Sequence, residues 1–354
     1  MHHPIGRVPV SIIIANYDYA RFLGRCIDSA LDQDYRDIEV VVVDDASNDG
    51  SREIIRSYGS QVRPCLKVRN GGHAAAFNTG FAACSGQVVF FLDADDYLYP
   101  NAVSRVVEAW DADTTQAQFR LHLVDENRQI KDIFPPPELP FDDGNVVPKL
   151  LRSGRYQTTV TSGLAFDRTA LESILPIPED EFRQGADGYL VTVAPFHGNV
   201  TSIDHCLGAY RQHGANHSQF EDKLAERSRW RMRHDFRRFE ALSRQATQAG
   251  LALQGNIGLR DPGHLEGRLA SLCVDGVRHP VRGDSRLKLA AAGVAASLRM
   301  NASLRRRVFS AAWFFSVGVL PGKMARAVLL WKLVASSRPP QLAQMAKFLR
   351  RIVG

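Results

Sequence analysis

The chain lacks the signals that announce several common functions. Its five cysteines (Cys26, Cys65, Cys84, Cys206 and Cys273) are scattered, odd in number and without any C-x-x-C pair. That argues against a disulfide framework or a cysteine zinc site, and for a reducing compartment. No G-x-G occurs anywhere, so the fingerprint of a dinucleotide oxidoreductase is missing. Gly318 to Met324 (GVLPGKM) is one residue short of a P-loop and lacks its Ser or Thr. There is no internal repeat and no low-complexity tract, and no basic segment followed by an apolar core opens the chain. The expectation is a cytoplasmic protein, free or held peripherally on the cytosolic face of a membrane.

Acid is scarce in one part of the chain and abundant in the other. Residues 1–222 hold 19 Lys+Arg and 31 Asp+Glu, a net of −12, whereas residues 223–354 hold 25 and 7, a net of +18. With 354 residues the chain can form a large domain and a smaller one. The charge division sets the expected boundary, with 1–222 as one domain (1–104 and 105–222 its two halves) and 223–354 as a basic, mostly helical region. Such asymmetry suggests that the tail meets an anionic partner. Nucleic acid is not expected, because no recognised nucleic-acid module is present.

What the chain does have is organised around Val88-Val89-Phe90-Phe91-Leu92-Asp93-Ala94-Asp95-Asp96. Five apolar residues in a row read as a strand buried on both faces. Three aspartates in four positions then repel one another and cost desolvation at the edge of a core. A hard divalent cation, Mg2+ or Mn2+, explains them, because it takes oxygen ligands and completes its shell with substrate phosphates. The competing reading is a solvated acidic loop.

In chain order, Val8 to Ala15 is a first buried strand ending in Asn16-Tyr17-Asp18-Tyr19, and Arg21 to Leu31 carries one apolar helical face. Ile38 to Val43 is a second strand closing on Asp44-Asp45. Ser51 is expected to cap a short helix through Tyr58, Cys65 to Val68 to form a third strand, and Ala74 to Ala83 a small-residue helix after Asn70-Gly71-Gly72. Tyr156 to Phe166 alternates like a strand, and a helix is expected to follow Gly185 through Pro195. Strands alternating with helices imply an α/β fold with a parallel sheet. Ligands bind outside the carboxyl ends of such strands, where an aromatic ring and acids here collect as a nucleotide pocket would require. Tyr17 as core and Asp44-Asp45 as a turn are the bland alternatives.

The runs VSIIIANYDYARFLGRCIDSAL, EVVVVDDASNDGS, NGGHAAAFNTGFAACSG and VVFFLDADDYLYP closely resemble the family 2 glycosyltransferases, inverting enzymes of the GT-A fold. The resemblance is strong over 8–104, thinner over 105–155, and returns over 156–218. It implies a mixed, mostly parallel Rossmann-like sheet flanked by helices, a nucleoside-diphosphate sugar donor with a bias toward UDP, and a glycan or lipid-linked acceptor. It also implies roles. Tyr17 stacks on the base and Asp45 takes its N–H, while Ala15, Gly72, Asn78, Asp93 and Arg211 line the nucleotide-sugar. Asp93, Asp95 and His213 hold Mn2+ or Mg2+, and Asp187 is the catalytic base. The chain departs from the pattern at Phe77, where many members carry Arg, and at Ala186, where a Glu is expected. A nucleotidyltransferase of similar fold remains open, although Asn16–Tyr19 has no glycine for a phosphate loop. So does a catalytically inactive sugar-nucleotide sensor or membrane adaptor.

Near the C-terminus, Arg305-Arg306-Arg307 precedes the apolar run Val308 to Leu320, and Met324 to Val334 follows Pro321-Gly322-Lys323. Each run is near a dozen residues, short of the roughly 20 a span needs. Trp313, Phe314, Phe315 and Trp331 among cations favour an interfacial helix on an anionic membrane over 305–354. A packed helical subdomain is the alternative.

Overall fold

The computed structural model describes residues 8–213, 224–300 and 302–334. Gly214, Asn216, His217 and Ser218, the 222/223 boundary and the tail 335–354 lie outside the described residues. The chain forms two compact units, one of Met1–Leu150, Tyr156–His213 and Arg244–Gly250, the other of Leu151–Arg155, Gly214–Ser243 and Leu251–Gly354.

The first unit is a nine-stranded sheet with flanking helices. Its elements begin β1 (Val10–Asn16), α1 (Ala20–Leu31), β2 (Ile38–Asp44), α2 (Ser51–Ser57), β3 (Arg63–Leu66), α3 (His73–Ala83) and β4 (Val88–Asp93). They continue with β5 (Tyr97–Leu98), α4 (Ala102–Glu108), β6 (Thr114–Val124), β7 (Ile130–Phe134), α5 (Val147–Ser153), β8 (Leu164–Asp167), α6 (Arg168–Ile174), α7 (Ala186–Val193) and β9 (Asn199–Arg211). The order is β3-β2-β1-β4-β8-β6-β9-β5, with β7 added on β6.

β1, β2 and β4 are continuous apolar runs because helices cover both faces of this part of the sheet. Phe90, Phe91, Ile12 and Ile14 are fully buried, and each such side chain contributes on the order of 1.5–3 kcal/mol. In α1, Phe22, Leu23, Cys26, Ile27 and Ala30 recur on one face and bury it. The small residues of α3 have a packing reason, since a Cβ on Gly80 would lie 2.3 Å from Ile13 Cγ2. Register then aligns the strand ends. Asn16 pairs with Asp44 across β1–β2 and Ala15 with Asp93 across β1–β4, so the three strands deliver their terminal polar residues to one edge.

The sheet is mixed, as expected: β3-β2-β1-β4 and β6–β9 pair parallel, and β8 joins β4 and β6 antiparallel, as do β5 and β9 and also β6 and β7. Two expectations are corrected. Of Tyr156–Phe166 only the part from Leu164 is strand, preceded by a tight turn over Thr161–Gly163. Gly50, at φ +87°, caps α2 in place of Ser51, whose N–H and hydroxyl are drawn back to Asp49 Oδ1 at 3.2 and 2.6 Å.

The second unit is helical, with most of α8 (Leu224–Gln248), then α9 (Pro262–Val274), α10 (Arg286–Leu298), α11 (Leu304–Val319) and α12 (Gly322–Leu333). Asp261, Ser285 and Ser303 cap α9, α10 and α11 through side-chain oxygens. The core joins Leu265, Leu269, Leu289, Trp313, Phe314, Val317 and Leu329. Trp313 and Phe314 are therefore core residues, and of the aromatic trio only Phe315 is exposed. The arginine-rich start of α8 carries buried, paired cations. Arg229 is buried and pairs with Asp275 at 2.8 Å, while Arg155 and Arg238 surround the buried Asp235 at 2.6 and 3.4 Å.

Candidate active site

The two aspartates ending β2 are both buried but serve different partners. Asp44 Oδ1 accepts from Asn16 Nδ2 at 3.0 Å, and its Oδ2 accepts from Ser47 N at 3.1 Å and Arg52 Nε at 2.8 Å. Burial pushes its carboxyl up, but the hydrogen bonds from Ser47, Arg52 and Asn16 outweigh that and hold it below the usual carboxylate range. Asp44 thus fastens the β1 and β2 loops together. Asp45 faces the loop before α3, where its carboxylate accepts Gly71 N–H at 2.9 Å and Gly72 N–H at 2.6 Å and pairs with Lys67 Nζ at 2.6 Å. Gly72, at φ +85°, has no room for a side chain, since a Cβ would meet Arg183 O at 2.3 Å. Tyr17 stands 44% exposed at the rim, its phenol raised by the nearby charge of Asp18 and, to a lesser degree, by burial and Asp45. Ala15 lies beside Asp93 in register and accepts Ala94 N–H at 3.2 Å.

The aspartates after β4 are held one by one. Asp93 ends the strand partly exposed, its N–H bonded to Ser162 Oγ at 3.2 Å and its Oδ1 3.2 Å from His73 Nε2. Asp95 is buried with Oδ2 2.9 Å from His213 Nε2. Burial, then the charge of Asp93, pushes its carboxyl up against the opposing pull of His213. Asp96 is buried deeper, accepting Ser162 Oγ at 2.5 Å and Arg211 N–H at 2.8 Å. Burial and the charges of Asp95 and Asp93 raise it well above the usual range. His213 is enclosed by Tyr19 and Phe22, with Arg21 Nη2 3.3 Å from its Nδ1.

Among the described residues no three His, Cys, Asp or Glu side chains converge as a complete cation cage. A hard cation of the Mg2+ or Mn2+ type takes one or two carboxylates and completes its shell with phosphates, and Asp93 and Asp95 offer carboxylates of that kind at the end of β4. Arg211 is not brought to the opening. Its guanidinium is buried, bonded to Asp95 O at 2.8 Å and set over the rings of Phe22 and Tyr97 at 4.4 and 5.6 Å. Asn78, about one and a half turns along α3 from His73, gives its amide to Ile177 in both directions (3.0 and 2.8 Å) and to Glu179 at 3.2 Å. Phe77, in the place of the expected Arg, is buried and stacks on Phe91 at 4.1 Å.

Asp187 occupies the first turn of α7, after Gly185 at φ +74°. Its charge reaches His73, at the first position of α3. Burial pulls the His73 imidazole down, but Asp93, Asp187 and Asp95 outweigh it and raise it above its ordinary value. His73 and Ser162 are the site residues that motif reading missed. A lone histidine and a lone serine carry no spacing signal, and only the fold shows that each touches the aspartate cluster.

Residues 11–173 match the family model described as Glycosyl transferase family 2. An uncharacterized glycosyltransferase of Nostoc sp. is 39% identical over 214 residues, which cover 58% of this chain and 66% of that one. The hyaluronan synthase of Pasteurella multocida is 40% identical over 116 residues, 32% of this chain and 12% of the synthase. The chain thus spans just under two thirds of the first relative and a small part of the second. A mannosyltransferase of Pyrobaculum calidifontis, solved with GDP-Man and Mn2+, superposes with a TM-score of 0.54 at 18% identity, covering 94% of this chain and 87% of that one. The curled mixed sheet with flanking helices is the GT-A fold, and residues 11–173 match the family 2 glycosyltransferases.

Proposed function

We propose that the carboxyl edge of β1, β2 and β4 binds a nucleoside-diphosphate sugar, with UDP the favoured nucleotide, and that the enzyme transfers the sugar with inversion to a hydroxyl of a glycan or lipid-linked acceptor. The observation that carries this reading is the meeting, at one sheet edge, of the Asp93–Asp95–Asp96 cluster, His213 and the first turn of α7. Tyr17 offers an exposed ring for the base, and Asp45 with Gly72 shapes the floor beside it. Asp95, His213 and Asp93 would hold the cation. When bound, the cation supplies positive charge against the departing diphosphate. Asp187 takes the acceptor proton as the acceptor oxygen bonds to the anomeric carbon. The carbon–oxygen bond to the diphosphate breaks on the opposite face, its electron pair leaving with the nucleotide, so no covalent enzyme intermediate is needed. The hyaluronan synthase and the mannosyltransferase among its relatives support a sugar donor and a glycan-type acceptor. Arg211 and Asn78 in this reading brace Asp95 and the 177–179 segment instead of touching the donor directly.

A thermal-shift panel of UDP- and GDP-sugars with Mn2+ or Mg2+ tests the donor assignment, because a ligand that binds only the folded state raises its melting temperature. At least one pair is expected to raise Tm in the wild type and to lose most of that effect in Asp95→Asn. A panel with no cation-dependent shift would count against the reading.

The second unit gives this enzyme a membrane-facing surface in the same proposal. No helix among the described residues is long and apolar enough to cross a membrane. α11 nevertheless turns Leu304, Val308, Phe309 (66% exposed), Phe315 (61% exposed) and Val319 outward, and Met324 of α12 is exposed as well. Arg305, Arg306, Lys323 and Arg326 are exposed beside them, and no acid occurs anywhere after Asp284. The occupant we assign is an anionic bilayer, since a second copy would bring cations against cations, and each Lys or Arg near such a surface adds about 1 kcal/mol. Flotation with vesicles containing phosphatidylserine is expected for the wild type at low salt and not for a Phe309→Glu, Phe315→Glu variant. Equal flotation of both, or concentration-dependent dimers without flotation, contradicts the assignment.

A further inference from the structure

The geometry points to His73 as a positioning residue that ties the cation-binding end of the site to the helix carrying the base; this rests on the reading of Asp93, Asp95 and Asp187 proposed above. The imidazole stands at the first position of α3 and touches two elements far apart in sequence. Its Nδ1 lies 3.3 Å from the N–H of Ala186, and its Nε2 lies 3.2 Å from Oδ1 of Asp93. The Ala186 N–H is one of the first-turn donors of α7 that has no carbonyl within the helix, so Nδ1 is its acceptor. With Nδ1 accepting from Ala186, Nε2 is the nitrogen that faces the Asp93 carboxylate, an ion-pair contact at 3.2 Å.

The rest of the residue is fixed as firmly. The backbone N–H of His73 donates to Arg183 O at 2.7 Å, and the ring packs edge-on against Phe77 at 4.1 Å. Gly72, immediately before it, is held by Asp45. α3 thus begins at a point bonded to the end of β2, the end of β4 and the start of α7. Inverting displacement requires the base and the departing diphosphate on opposite sides of one carbon, and small errors in their separation cost rate. Ala186 stands where the family pattern has an acid and cannot itself reach across. His73 supplies the link between Asp93 and the turn bearing Asp187.

Three variants separate its two bonds. Glutamine places an amide N–H close to where Nε2 stands, and asparagine places a carbonyl oxygen close to Nδ1. The readouts are Mn2+ affinity by electron paramagnetic resonance and residue-level hydrogen exchange of the Ala186 amide, neither of which needs the sugar donor. His73→Ala is expected to weaken Mn2+ about 10-fold, the low end for loss of a partner behind a metal ligand, and to speed exchange at Ala186. His73→Gln should recover Mn2+ affinity but not protection of Ala186, and His73→Asn the reverse. Unchanged Mn2+ affinity and unchanged exchange in His73→Ala overturn the proposal, as do three variants impaired alike in step with a lowered Tm. Asp95→Asn is the control for the underlying reading. If it binds Mn2+ as the wild type does, the cation assignment fails, and the exchange data alone then decide the clip on α7.

Discussion

Asp45→Asn should destabilise the first unit by roughly 2–4 kcal/mol. The carboxylate is buried and accepts two backbone N–H groups, of Gly71 at 2.9 Å and Gly72 at 2.6 Å, while pairing with Lys67 at 2.6 Å. An amide keeps one acceptor oxygen but turns an NH2 toward the second donor. One buried N–H is then left without a partner, at a cost of about 1–3 kcal/mol. The lysine also loses its counter-charge. Breaking a buried pair costs about 3–5 kcal/mol at most, and the Lys67 side chain, 19% exposed, recovers part of this by reaching water. Urea unfolding followed by tryptophan fluorescence and far-UV circular dichroism gives the midpoint shift. An Asp45→Asn protein within about 0.5 kcal/mol of the wild type would refute the assignment of the cost to Gly71 and Gly72.

Asp44 is held below the usual carboxylate range, as is Asp284 by Arg268 and His279 against the effect of burial. Their contribution is complete above the unfolded value near pH ~3.9 and is lost as pH falls through the lower folded values. Acid titration of Arg52→Met should therefore show unfolding at higher pH than the wild type, and coincident curves would contradict it. In the helical unit, a Cβ on Gly293 would lie 2.1 Å from Phe314 Cδ1. Gly293→Ala is thus expected to lower stability by about 1–3 kcal/mol through overpacking, measured as a lower urea midpoint.

Much of the donor side was legible because nothing interrupts its strands. β1, β2 and β4 are runs of β-branched and aromatic residues, and each ends where polar residues begin. β6 resisted reading because its sequence, TTQAQFRLHLV, buries Gln116, Gln118 and Arg120. Their partners are distant: Gln116 Nε2 donates to Tyr156 Oη at 2.7 Å, Gln118 Nε2 to Ser202 Oγ at 2.9 Å, and Arg120 to the carbonyl of Pro135 at 2.6 Å. Local pattern cannot show a polar group satisfied across 40 or 84 residues. The aromatic cluster of α11 misled in the opposite sense. Trp313 and Phe314 sit among cations in sequence, yet Trp313 Nε1 bonds to Val328 O at 3.2 Å and Phe314 fills the space left by Gly293. The aspartates after β4 were legible as a motif, whereas their bracing by Ser162, Arg211 and His213 depended on segments the chain brings from 66 to 118 residues away.

The most direct measurement is release of nucleoside diphosphate from the donor that the binding panel selects, followed with and without an acceptor glycan. Wild-type protein with Mn2+ or Mg2+ should release it, chelator and Asp95→Asn should each abolish release, and Asp187→Asn should slow it at least ~10²-fold while still binding the nucleotide. Turnover that persists at the wild-type rate in Asp187→Asn, or in chelator, would contradict the account.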